Sequence, residues 1–93
     1  MEEATETNVP QTEMPRYRSH KQVWALKIAA IQHREDGSAI ITPADPGYAA
    51  FKVDAAYVAR HEPRAGGYYV VYKDGYKSFS PAEAFEDGYT RVD

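Results

Sequence analysis

Apolar residues along this chain fall into short runs, set apart by Asp-Gly pairs, prolines and charged clusters. Residues 23–31 read Val-Trp-Ala-Leu-Lys-Ile-Ala-Ala-Ile. At a period of two, Trp24, Leu26, Ile28 and Ala30 share one face; Val23, Ala25, Lys27, Ala29 and Ile31 share the other. Alanine and leucine also suit a short helix. The continuation decides for a strand, because Asp36-Gly37 follows and then the β-branched run Ala39-Ile40-Ile41-Thr42. Two apolar runs flanking Asp-Gly predict a hairpin. Trp24 is expected as a core anchor, with ligand stacking as the alternative.

Pro43-Ala44-Asp45-Pro46-Gly47 predicts a turn, and residues 50–53 a short strand. Asp54 is placed to cap a helix over 55–61, which Pro63 ends. Gly66-Gly67 then leads into Tyr68-Tyr69-Val70-Val71-Tyr72, an Asp74-Gly75 turn and Tyr76-Lys77-Ser78-Phe79. This pattern predicts a second hairpin, with the glycine pair as a flexible turn into it. Ser80-Pro81-Ala82-Glu83 carries the marks of a helix start: Ser80 as cap, Pro81 at the first helical position and Glu83 completing a capping box. Gly88 supplies a left-handed stop, Ala84 and Phe85 are the positions that press on the sheet, and residues 89–92 read as a final edge strand. The expectation is an α+β domain with a single small, mostly antiparallel sheet of five or six short strands and two short helices. Two small helices leave much of a sheet uncovered, and its edges need blunting or pairing. A homo-oligomer is therefore expected.

Charge divides the chain in two. Residues 1–15 hold Glu2, Glu3, Glu6 and Glu13 and no basic residue, with almost nothing to bury, and read as a disordered acidic tail. All 11 Lys and Arg residues of the chain lie in residues 16–93, against ten acidic ones, so that domain is near neutral although the chain carries −3. Such a balance is not the electrostatic footprint of a duplex-binding domain. The chain has no cysteine, hence no disulfide framework, thiolate nucleophile or cysteine-ligated zinc. No apolar run approaches the roughly 20 residues that span a bilayer, so no membrane association is expected, and a cytosolic soluble protein is the default expectation.

Groups for catalysis are sparse. Ser19, Ser38, Ser78 and Ser80 sit in no nucleophile elbow, and the glycine pair does not lie between a strand and a helix. His20, His33 and His61 lack the spacing of a metal pair. Glu83 and Glu86 share a helix face, but acid/base glycosidase chemistry needs two carboxyls across a cleft. No enzyme activity, cofactor or metal is expected. Tyrosine stands out instead, at positions 17, 48, 57, 68, 69, 72, 76 and 89. Its apolar body and polar tip suit interfaces and stacking on bases. Tyr68, Tyr69, Tyr72 and Tyr76 are the candidate binding surface for a protein or ligand, although a tyrosine-lined sheet core is the competing structural reading. Arg16, Arg18 and Lys21, with His20 and around Tyr17, form a short basic cluster where an anion could land.

The motif Tyr17-Arg18-x-x-Lys21-x-Val23-x-Ala25-x-x-Ile28 resembles the opening of many small accessory proteins of tailed phages and prophages. The stretch from Pro63 through Gly66-Gly67-Tyr68-Tyr69-Val70-Val71-Tyr72, Asp74-Gly75-Tyr76 and Ser80-Pro81 to Ala84-Phe85-Glu86-x-Gly88-Tyr89 is similar to the end of the same group, and is the more specific part. The resemblance covers nearly all of residues 16–92 and implies a phage protein of the host cytoplasm, with no site residue carried across. The layout also resembles, more loosely, small phage proteins that sequester nucleotide immune signals. The expected function is thus a non-enzymatic binding module acting through the tyrosine-rich hairpin, on itself and on a host protein. The alternatives are a binder of a nucleotide or other small anion, and a minor virion component.

Overall fold

The computed structural model describes Pro15 and residues 22–92. The expected acidic tail, Pro15 apart, and the basic cluster of Arg16, Arg18 and Lys21 lie outside the described residues. Five strands, β1 (Trp24–His33), β2 (Ala39–Pro43), β3 (Phe51–Val53), β4 (Tyr68–Val71) and β5 (Lys77–Ser80), form one sheet in the order β3-β2-β1-β4-β5. Each neighbouring pair is antiparallel. Helix α1 (Ala55–His61) joins β3 to β4, and α2 (Ala82–Gly88) follows β5. This is the α+β architecture expected from the sequence, with five strands rather than six.

The central strand serves two partners in succession. Trp24 to Lys27 pair with β4, and Ile28 to His33 pair with β2. Between Ile28 and Ala30 the register to β2 slips by one residue. A bulge of this kind bends the strand and moves every later side chain to the other face. Ile28, 1% exposed, therefore shares the core face with Ile31, not with Ala30 as simple alternation had it. Ile28, Ala39, Ile41, Val53 and Tyr57 form the buried cluster, and Ile31, Phe51, Val58, Tyr69 and Phe79 pack against it. Trp24 is not the core anchor expected. It is 61% exposed, because it opens β1 opposite Val71, at the end of the sheet away from that cluster.

The first turn forms as expected. Gly37 takes φ 91°, and Asp36 Oδ1 accepts hydrogen bonds from the backbone N–H (2.9 Å) and the hydroxyl (2.6 Å) of buried Ser38. These bonds hold the Asp36 carboxyl below its ordinary pKa. Asp54 caps α1, its Oδ1 accepting from Tyr57 N–H at 2.8 Å. The helix ends at His61, where Glu62 turns left-handed (φ 47°) ahead of buried Pro63.

Helix α2 departs from its sequence signals. Ser80 stays in the ladder opposite Tyr68, so the cap position falls to Pro81, which makes no side-chain cap hydrogen bond. Pairing across the sheet here outweighs the local capping box. Gly88 is helical and not left-handed, and the chain leaves the helix at Tyr89 in extended conformation (φ −134°). Residues 89–92 form no strand; the Tyr89 ring stacks on Phe85 instead (4.7 Å). Phe85 is half-buried and Ala84 is exposed.

The glycine pair is more than a flexible turn. Gly66 adopts φ 92°, and its N–H donates to Ile28 O while Ile28 N–H donates to Gly67 O, both at 2.8 Å. Gly67 is buried beneath the Phe79 ring, and a Cβ there would overlap that ring and lie 2.8 Å from Ser80 O. Gly67→Ala is expected to destabilise the fold by about 1–3 kcal/mol, the usual cost of overpacking, measured by urea unfolding. A midpoint equal to that of the unsubstituted chain would contradict the close approach.

Candidate functional site

Tyrosine residues converge on the β4–β5 hairpin, and alternation separates them. The turn is closed by Tyr72 N–H donating to Tyr76 O (2.9 Å) and Gly75 N–H donating to Tyr72 O (2.8 Å), with Gly75 at φ 92°. Asp74 Oδ1 accepts from Tyr76 N–H at 3.0 Å. Consecutive strand residues face opposite ways, so Tyr68 and Tyr69 go to different layers.

Tyr69 joins the core side. Its ring meets Phe51 edge-on at 4.8 Å and tilts against Tyr57 at 5.7 Å. Tyr57 is 8% exposed and donates its hydroxyl to Ser78 O at 2.7 Å, so α1 satisfies a carbonyl of edge strand β5. Burial, with Tyr69 beside it, raises the Tyr57 hydroxyl well above its ordinary pKa; burial also raises Tyr69.

Tyr68 belongs to the opposite layer. Its ring stacks on Phe85 at 4.2 Å, and its hydroxyl donates to Glu86 Oε2 at 2.8 Å. Lys27 Nζ reaches the same carboxylate oxygen at 3.2 Å. The Tyr68 hydrogen bond, then Lys27, lowers the Glu86 pKa, while the same bond raises that of Tyr68. Glu86 is therefore the latch that holds α2 to the sheet.

Tyr72 and Tyr76 stack at the hairpin end, with centroids 6.1 Å apart. Tyr76 is 45% exposed, and its hydroxyl lies 3.4 Å from His61 Nε2. The four candidate tyrosines thus do not share one surface. Tyr69 is a packing residue, Tyr68 a helix dock, and Tyr76 is exposed with half-buried Tyr72 stacked on it. Trp24, missed as a surface residue, opens β1 at that same end, opposite Val71, which pairs with Lys77. Its place as the first strand residue was the available signal. Among the described residues no group of three or more His, Cys, Asp or Glu could hold a metal ion, and no helix is long and apolar enough to cross a membrane.

No family model matches the chain, and no curated protein matches it. Among solved structures it is similar to the NMR solution structure of the monomeric form of the phage L decoration protein. The two are 34% identical, with a TM-score of 0.62 over 86% of this chain. The chain spans 60% of the length of that neighbour. The likeness supports the phage relation read from the sequence.

Two measurements check this geometry. A folded pKa raised above the unfolded one stabilises the fold fully below the unfolded value and loses that contribution as pH rises through the folded one. Melting temperature is therefore expected to hold up to about pH 10 and fall above it, with Tyr57→Phe reducing the alkaline fall; an identical pH profile in the variant would count against a buried neutral phenol. Tyr68→Ala removes the platform under Phe85, at a cost of about 1 kcal/mol for such a stack. Amide exchange over residues 85–89 should accelerate selectively, and unaltered protection there would contradict the latch.

Proposed function

We propose that this chain is a non-enzymatic phage binding module that attaches to the surface of the phage particle through the exposed end of its sheet. The likeness to a decoration protein, over 86% of the chain at 34% identity, carries this reading. The aromatic cluster at that end supplies the means. Trp24 and Tyr76 are 61% and 45% exposed, and Tyr72 stacks on Tyr76. Tryptophan and tyrosine are enriched among the residues that dominate interface energies, since a large rigid ring gains contact area at little entropic cost.

The shell protein of the particle takes the place of the host protein expected from the sequence. Synthesis in the bacterial host cytoplasm fits a protein that joins particles made there. Self-association is a separate proposal, supported by the same uncovered aromatic side chains and read by sedimentation at micromolar concentrations.

The test is co-sedimentation of the purified chain with heads of the phage that encodes it. Saturable pelleting is expected. Trp24→Ser with Tyr76→Ser should weaken it by at least about tenfold, with circular dichroism and melting temperature preserved. Absence of pelleting would overturn the reading, and undiminished pelleting of the double variant would overturn the surface assignment.

A further inference from the structure

Aromatic rings follow one another from the core to the tip of the β4–β5 hairpin. Phe51 meets Tyr69 at 4.8 Å, Tyr69 meets Tyr57 at 5.7 Å, and Tyr57 meets His61 at 4.9 Å. His61 in turn meets Tyr76 edge-on at 5.8 Å, and Tyr76 stacks on Tyr72 at 6.1 Å. Each contact lies within the range of about 4.5–7 Å over which aromatic rings attract one another. His61 is the member that joins the core rings to the tip.

Spacing explains how α1 delivers that ring. Residues four apart share one helix face, so Tyr57 and His61 look the same way, about 6 Å apart along the axis. Two residues of extended chain cover about 6.6 Å. Tyr57 donates its hydroxyl to Ser78 O, and His61 meets Tyr76, two residues earlier. The helix thus runs alongside the second hairpin arm in step with it, one turn on Ser78 and the next on Tyr76. Asp54 caps the start of α1, and left-handed Glu62 closes its end by donating its N–H to Val58 O. His61 is therefore carried on a backbone fixed at both ends.

The tip gains from such a hold. It lies beyond the last strand pair, Val71–Lys77, and turns at Gly75. Tyr76 is 45% exposed there. An exposed side chain has rotamer freedom that binding must remove, at a cost in affinity. A ring against one side of Tyr76 removes part of that freedom beforehand and leaves the rest of it open. The Tyr76 hydroxyl lies 3.4 Å from His61 Nε2, longer than an ordinary hydrogen bond, so the ring contact and not the polar one is the holding element.

We infer that His61 is a positioning residue of the aromatic attachment surface: its ring, in contact with both Tyr57 and Tyr76, holds the Tyr72–Tyr76 stack in the pose that meets the particle. The particle as partner rests on the proposed function above; the hold itself rests on the ring geometry.

Two assays separate these, each run on the full chain and on His61→Ala, His61→Gln and His61→Phe. Phenylalanine keeps a ring without the nitrogens, whereas glutamine keeps polar atoms without a ring. The Tyr76 χ1 angle is read from its three-bond Hα–Hβ couplings. One rotamer is expected in the parent and in His61→Phe, and averaging over the staggered wells in the Ala and Gln variants, with the amide shifts of core residues Ile41 and Val53 unchanged. A single rotamer in every variant, or one restored by Gln and not by Phe, would overturn the inference. In co-sedimentation the Ala and Gln variants should bind heads about three- to tenfold more weakly, the effect of one side chain no longer held, and His61→Phe should bind like the parent. Averaged rotamers with undiminished pelleting would overturn the inference while leaving particle attachment standing. If the parent chain itself does not pellet, the particle reading falls, and the couplings alone decide whether His61 holds the tip.

Discussion

Every layer of this small domain depends on the slip in register beside Ile28. A strand of ten residues has to pair with β4 through its first part and with β2 through its second. An unbroken alternation would place Ile28 and Ile31 on opposite faces. The bulge returns both to one side, where Ile28 meets Ile41, Val53 and Tyr57. The same residue exchanges hydrogen bonds with Gly66 and Gly67, so the bend in β1 is held from the β4 side as well. Bending there brings the outer strands toward each other.

That approach explains how so small a sheet copes with its edges. Helix α1 leaves β3 at Asp54 and delivers the Tyr57 hydroxyl to a carbonyl of β5. A side chain thus does the work that a sixth strand would do. The packing around it is aromatic, with the Tyr69 ring against both Phe51 and Tyr57. A domain of this size buries only a modest fraction of its surface, and tyrosine supplies large apolar contact while keeping its hydroxyl useful. Helix α2 has no buried residue and is held by the Tyr68–Phe85–Tyr89 stack and the Glu86 latch, which makes it a lightly attached cover for the opposite face.

The aromatic side chains divide between the packing and the surface. Tyr57, Tyr68 and Tyr69 are committed to folding. Trp24 and Tyr76 are exposed, at 61% and 45%, and Tyr72 is half-buried and stacks on Tyr76.

Much of this could be read along the chain. Both hairpins, the helix between them and its Asp54 cap are local features, set by Asp-Gly turns, β-branched runs and a side chain that reaches the backbone three residues on. The tyrosine excess and the phage likeness were equally legible. Other features needed the folded chain. Whether Ser80 caps a helix or pairs with Tyr68 is a contest between a nearby amide and a distant strand, and local pattern cannot weigh the second. The phase change after Ile28, the crowding of Gly67 by Phe79, and the exposure of Trp24 all arise where strands far apart in sequence meet. Periodicity reports which way a side chain turns relative to its neighbours, whereas burial and partnership depend on what the rest of the chain sets against it.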